Sequence, residues 1–248
     1  MSNVIHCKTH DGRSISFVDQ IIGSGAMKDV YFSPDKSYVV CFFNQQKNKF
    51  YSNPSEYQEQ KRRLLEIVTT KHDNLMNGMG GEYWKNTFCW PNGLVEYNNL
   101  LGIVAPSYSK EFFFEYGSSN NDSLNIKGKE KEGKWFASAS NQNRFLDDRE
   151  KGDWSKYLKI CVTLARSIRR MHAAGLAHSD LSYKNVLIDP TTGKACVIDV
   201  DGLVVPGKFP PEVVGTPDFI APEVIATSHL DKSILSVFCP LFVLTGMH

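Results

Sequence analysis

The chain has 248 residues, 42% of them hydrophobic, which is enough for a real core in one large domain or two lobes. Its 28 basic residues offset 27 acidic ones, leaving a net charge of +1, so no polyelectrolyte field argues for nucleic acid or an anionic membrane surface. The six cysteines include no Cys-x-x-Cys pair and no zinc-spaced His/Cys cluster; the start carries no charged-then-apolar leader, and the most apolar run, 234–244, is short and contains Pro240. These features predict reduced thiols in a cytoplasmic protein.

In chain order, "SISFVDQII", "DVYFS" and "SYVVCFF" read as short strands separated by turns, and so as a small antiparallel sheet. A helix is predicted from Asn53, as N-cap, through "SEYQEQKRRLLEIVTT". Residues 71–99 show no clear period, whereas "NNLLGIVAPSY" reads as a buried strand stopped by Pro106. The polar stretch 117–134 is expected to be a mobile surface insertion. From Asp153, the residues Trp154, Leu158, Cys161, Ala165, Ile168 and His172 recur at helical spacing up to Gly175, and "NVLID" and "ACVID" then form a hairpin.

Three stretches carry chemistry. "GSGAMKDVYF", from Gly23, begins as a glycine turn able to let a backbone approach phosphate, yet it places Lys28 where a third glycine would stand. "HSDLSYKN", from His178, sets Asp180, Lys184 and Asn185 between a helix and a strand, and Asp199 follows on the hairpin. That spacing suits a hard cation held by Asn185 and Asp199, with Asp201 as a further candidate, while Asp180 orients a hydroxyl. "GTPDFIAPE" lies downstream, from Gly215 to Glu223.

These motifs, in this order, resemble those of the protein kinases. His178-Ser179-Asp180 looks like that family's His-Arg-Asp, Asn185 like its metal-binding asparagine, the "DVDG" that starts at Asp199 like its Asp-Phe-Gly, and Ala221-Pro222-Glu223 like its Ala-Pro-Glu. The resemblance implies an α+β, bilobal fold: an N-lobe over 1–107, with an antiparallel sheet and one helix, and a mainly helical partial C-lobe over 108–248 that stops soon after Glu223. It also implies ATP and magnesium as cofactors. Gly23, Ser24, Gly25, Lys28 and Val30 would then lie at the nucleotide, together with Val104, Ala105 and Ser107 of the connector.

The departures from the family pattern are informative. Cys41 stands where the family's strand lysine belongs, and a thiol supplies no positive charge; Lys28, on the neighbouring strand, is expected to take its place, an arrangement similar to that of the with-no-lysine kinases. Lys184 is expected to neutralise the transferred phosphoryl group, since Ser182 occupies the usual lysine position, and Glu59 is the candidate helix partner for Lys28, with Glu56 and Glu66 as the alternatives. Residues 200–215 contain no Ser, Thr or Tyr to phosphorylate. The implied activity is transfer to a Ser or Thr hydroxyl of a protein substrate, the alternative being a nucleotide-binding pseudokinase scaffold. The wording around Asp180 and Asp199 also resembles bacterial kinases of tellurium-resistance-type operons, which implies a phosphatase or a von Willebrand-type domain as partner; separately, a second copy is expected as a candidate to cover the short C-lobe.

Overall fold

The computed structural model describes residues 3–77 and 80–205, then 208–209, 215–216, 219–220 and 225–226. Ala221-Pro222-Glu223 and the apolar 234–244 run lie outside the described residues. The chain divides into two compact units: Met1–Met79 with Cys89–Ser107, and Gly80–Phe88 with Tyr108–His248. Residues 80–88 belong to the second unit although they lie before Cys89–Ser107 in the chain.

In the first unit, β1 (Val4–Lys8) and β2 (Ser14–Val18) form an antiparallel hairpin. A five-stranded antiparallel sheet is ordered β3 (Ile21–Ser24), β4 (Lys28–Phe32), β5 (Tyr38–Phe43), β7 (Leu100–Pro106), β6 (Gly93–Tyr97). "SISFVDQII" is therefore two strands, broken at Asp19–Gln20. Successive side chains on β5 go to opposite faces. Val40 and Phe42 pack with Ile15 and Phe17 of the hairpin, while Phe43, with Cys41 beside it, packs with Leu64 and Val68. Gly102 is required on β7, because a Cβ there would meet the Phe42 ring at 2.6 Å.

Helix α1 (Pro54–Glu66) starts as its sequence dictates: Asn53 Oδ1 accepts the Ser55 N–H at 3.0 Å, and Pro54 opens the first turn, where no N–H is needed. It buries Gln60, Arg63 and Leu64 and runs through a wide π-turn, Ile67–Lys71, into α2 (His72–Met76). The Ile67 carbonyl accepts the buried Trp90 Nε1–H at 2.9 Å. The aperiodic 71–99 region thus contains α2, α3 (Gly81–Thr87) and β6, elements too short to show a period.

In the second unit, α6 (Trp154–Ala173) is capped by Asp153, whose Oδ1 accepts the Lys156 N–H at 3.0 Å, and it stops before Gly175 at φ 67°. Its buried face is not the one the spacing suggested. Ile160, Thr163, Ser167, Ile168 and Met171 are buried, whereas Trp154 is 78% exposed and Leu158 49%. Hydroxyl residues can face the core here because Ser167 Oγ returns its hydrogen bond to the Thr163 carbonyl at 2.9 Å. The hairpin of β8 (Val186–Asp189) and β9 (Lys194–Val197) packs beside it.

The 117–134 stretch, expected to be a mobile insertion, is instead built into this unit around the short turn α4 (Ser119–Asp122), which is left-handed at Asn120 and Asn121. Asp122 accepts backbone N–H groups from Ser118, Ile126 and Lys127, which holds its carboxyl down to about 2, and Ile126 enters the core with Phe114, Leu146 and Ile160. Lys131 is buried between Glu150 at 3.0 Å and Asp189 at 3.3 Å. Composition hid this because the segment carries few apolar residues and is anchored by paired charge and backbone bonds. α5 (Ala139–Phe145) follows it.

Candidate active site

On the sheet of the first unit, directly paired residues share a face. Register places Gly23 opposite Val30, Val30 opposite Cys41 and Cys41 opposite Ile103, in one cross-strand row. Lys28 pairs with Phe43 on the same face, so it is the diagonal neighbour of Cys41, and its Nζ lies 5.8 Å from the Phe43 ring centroid. Phe32, Val39 and Ala105 form a third row there. Lys28 and Cys41 therefore rise from one surface. A Cβ on Gly23 would meet nothing within 4 Å, so the chain's own packing does not require a glycine there, which fits close approach by a ligand.

Other expected residues of this unit are placed differently. The Val104 side chain is on the opposite face, in the core with Phe17 and Phe42, while Ser107 follows β7 and donates its N–H to the Ser37 carbonyl at 3.2 Å. Ser24 Oγ donates to Asp29 at 2.6 Å, so the side chain is engaged within the turn. Glu59 sits on the exposed side of α1, where both its oxygens accept from Arg62 at 2.8 Å. Gln60, Arg63 and Leu64 are the buried positions of the helix, and Leu64 packs with Phe43 and Leu101 of the sheet.

In the second unit, the loop around Asp180 is closed by hydrogen bonds. Asn185 Nδ2 donates to the Asp180 carbonyl at 2.6 Å and to its Oδ2 at 3.2 Å, and the Asn185 N–H reaches the Ser182 carbonyl at 3.1 Å. Asp180 Oδ1 accepts the Thr216 hydroxyl at 2.6 Å. Ser182 is buried, and the Lys184 side chain is exposed beside the loop.

His178 joins this loop to the residue before Asp199. Its Nε2 contacts the Ile198 carbonyl at 3.2 Å, and the Asp180 N–H donates to its Nδ1 at 3.3 Å. A carbonyl only accepts and a backbone N–H only donates, so the neutral tautomer protonated on Nε2 satisfies both. Burial pushes the His178 pKa down, against the upward pull of the Ile198 carbonyl and of Asp199, Asp180 and Asp201. The Ile198 N–H also donates to the Asn185 carbonyl at 3.0 Å. Ile198 is thus held on both sides, and Asp199 leaves it in a left-handed conformation at φ 59°, ψ 42°, with its side chain exposed. Such a backbone is costly for a non-glycine residue and persists only where surroundings enforce it. Asp201 is buried in the short turn that follows.

Asn185 uses its amide hydrogens on Asp180, which leaves Oδ1 for another partner, and the Asp199 carboxylate is exposed. Both are hard oxygen donors, as magnesium requires, and the neutral His178 adds no repelling charge. Sequence reasoning missed the part played by Thr216, although "GTPDFIAPE" contains it, and the clamping role of His178, because neither contact is local along the chain.

Residues 131–239 match the family model described as the protein kinase domain. The fold resembles a rhoptry kinase from Toxoplasma gondii (TM-score 0.53, 12% identity, 99% of this chain and 67% of that one) and vaccinia-related kinase 3 (TM-score 0.51, 12% identity, 98% and 68%). Among curated proteins, the dual serine/threonine and tyrosine protein kinases of Apis mellifera (32% identical over 81 residues, 33% of this chain) and Homo sapiens (34% over 77 residues, 31%) are similar. The matched stretch spans 8% of each of those relatives. The chain has the bilobal protein-kinase fold. The match to the protein kinase domain covers less than half of the chain, and the structural likeness carries the fold.

Proposed function

We propose that the chain is an ATP- and magnesium-dependent protein kinase that transfers the γ-phosphoryl group to a Ser or Thr hydroxyl. The observation that carries this reading is the fixed Asp180 carboxylate, bonded by Asn185 on one oxygen and Thr216 on the other. Asp180 would orient the acceptor hydroxyl and take its proton as the oxygen–phosphorus bond forms and ADP departs. Magnesium held by Asn185 and Asp199, with Asp201 as a further ligand, would screen the phosphate charge.

Lys28 supplies the phosphate-side cation in this reading, supported by its place on the same sheet face as Gly23, Val30 and Cys41, as in the with-no-lysine arrangement. Gly25 and Ala105 would serve the nucleotide through backbone, Ser24 likewise, and Val104 and Ser107 by holding the connector. Lys184 remains the candidate for the transferred group. Glu59 is proposed as a partner of Lys28 only if it leaves Arg62, and Glu56 and Glu66, on the same helix, are the other candidates.

A pseudokinase scaffold is the second reading, favoured by the pairing of Glu59 with Arg62. The printed name of the curated relatives makes tyrosine the alternative acceptor. A cytoplasmic protein substrate is proposed, and a phosphatase, a von Willebrand-type domain or a second copy as partner; among the described residues no helix is long and apolar enough to cross a membrane. To test the reading, the melting temperature is measured with ATP, with magnesium and with both. A rise that needs both supports the site, and no rise with any of them refutes it.

A further inference from the structure

The loop between β5 and the start of α1 reaches back onto the glycine turn. Lys47 Nζ donates to Ser24 Oγ at 2.9 Å and to the Gly25 carbonyl at 3.0 Å. The Met27 carbonyl accepts the Asn44 N–H at 2.9 Å and Asn48 Nδ2 at 2.8 Å. Asn44 Nδ2 reaches Asp29 at 2.7 Å, whose other oxygen holds Ser24. The bonds from Ser24 and then Asn44, with the charge of Lys47, hold the Asp29 carboxyl below its ordinary value, so the turn carries an anion that draws the lysine in.

The loop is itself ordered: its N–H groups at Lys47 and Asn48 return to the Asn44 carbonyl at 3.2 and 3.1 Å, and Gln46 N–H reaches Asn44 Oδ1 at 2.9 Å. Asn48 is 3% exposed, and its Oδ1 is buried with no hydrogen-bond partner. Burying an amide oxygen unpaired is unfavourable. That cost is sustained where the two Nδ2 hydrogens serve the Met27 and Asn44 carbonyls at 2.8 and 2.7 Å.

A peptide unit is planar and trans, so a carbonyl fixed in one direction sends the next N–H the opposite way. With the Gly25 carbonyl taken by Lys47, the Ala26 N–H faces away from the loop, and the Met27 carbonyl is kept on the loop side. We propose that residues 44–48 form a brace that presets the glycine turn for phosphate, with Lys47 and Asn48 as its positioning residues. The inference rests on the nucleotide reading above. A turn ordered before the ligand arrives does not have to be ordered by it, so affinity for the phosphates rises with no new ligand contact.

Amide hydrogen exchange and nucleotide affinity test this together, in the wild type and in Lys47→Met, Lys47→Arg and Asn48→Ala. The reporter amides are Gly25, bonded to the Lys28 carbonyl, and Asn44, bonded to Met27. In the ligand-free chain, Lys47→Met and Asn48→Ala should speed exchange at both amides about tenfold, and Lys47→Arg should restore protection. Magnesium-ATP should bind about tenfold more weakly to Lys47→Met, with KM for ATP raised and KM for the protein substrate and the melting temperature unchanged. Because Lys47 is exposed, this variant remains folded if Asn48→Ala does not. Unchanged exchange in Lys47→Met overturns the brace, as does faster exchange with unaltered affinity. Faster exchange in a chain whose wild type binds no nucleotide overturns the nucleotide reading instead, and leaves the brace as a feature of the turn alone.

Discussion

Replacing Lys28 by alanine should cost far more phosphotransfer than replacing Cys41. Lys28 and Cys41 are diagonal neighbours on one sheet face, a separation of roughly 7–8 Å between backbone positions, so the four-carbon stem of Lys28 can bring its ammonium over the place a lysine at 41 would serve. Two unit charges about 4 Å apart at an effective dielectric near 20 interact by about 4 kcal/mol. Allowing for residual screening, losing this cation should cost roughly 3 kcal/mol, on the order of a hundredfold in rate. Cys41→Ala removes a neutral, half-buried thiol and should change the rate less than about threefold. The assay is transfer of labelled phosphate to a generic protein substrate at saturating magnesium-ATP. Adding Cys41→Lys to Lys28→Ala should recover about tenfold, since the charge returns one diagonal step away. Equal, small losses from both single substitutions would refute the reasoning.

Thr216→Val should lower kcat about tenfold by releasing Asp180 Oδ1, while Thr216→Ser keeps the rate; the same kcat in both would contradict the contact's role. Phosphatase treatment should leave activity unchanged, because residues 200–215 offer no hydroxyl and phosphate on Thr216 would face the Asp180 carboxylate; a large drop traced to that residue would contradict this. Lys131→Met should destabilise the fold by about 3–5 kcal/mol in urea unfolding, since it strands Glu150 and Asp189 without a counter-charge, and a loss under about 1 kcal/mol would count against it. Stability should also fall with acid in two steps. His178 and His172, both pushed down by burial, contribute stability that is present above about 6.5 and lost as pH falls through their lower folded values. Asp189 has its carboxyl raised by burial but lowered on balance by Thr192, Thr191 and Lys131, so its contribution is present above about 3.9 and lost below it. A flat profile from pH 7 to 3 would contradict both.

What the sequence disclosed depended on range. Local chemistry was legible: Asn53 caps α1, the helical pattern starts at Asp153, Pro106 ends β7, and the alternation in "SYVVCFF" gives β5 its two faces. Motif spacing brought Asp180, Asn185 and Asp199 to one loop and hairpin. The face of α6 was misjudged because Thr163 and Ser167 are buried with their hydroxyls bonded, so the polar side of the pattern faces inward. The built 117–134 segment and the 44–48 brace stayed hidden for a related reason. Both are held by Asn, Asp and Lys making backbone and charge contacts that composition reads as solvated loop. Glu59 could not be distinguished from its neighbours by helix phase, and its contact with Arg62 is a surface pairing that spacing alone does not rank.

The most direct test of the account is γ-phosphoryl transfer from magnesium-ATP to protein, compared between the wild type and Asp180→Asn, with the labelled amino acid identified and nucleotide binding measured on the same samples. The account predicts magnesium-dependent label on serine or threonine in the wild type and a loss on the order of a thousandfold in Asp180→Asn, with nucleotide still bound. Nucleotide binding without transfer in the wild type, or equal transfer by both proteins, would contradict it.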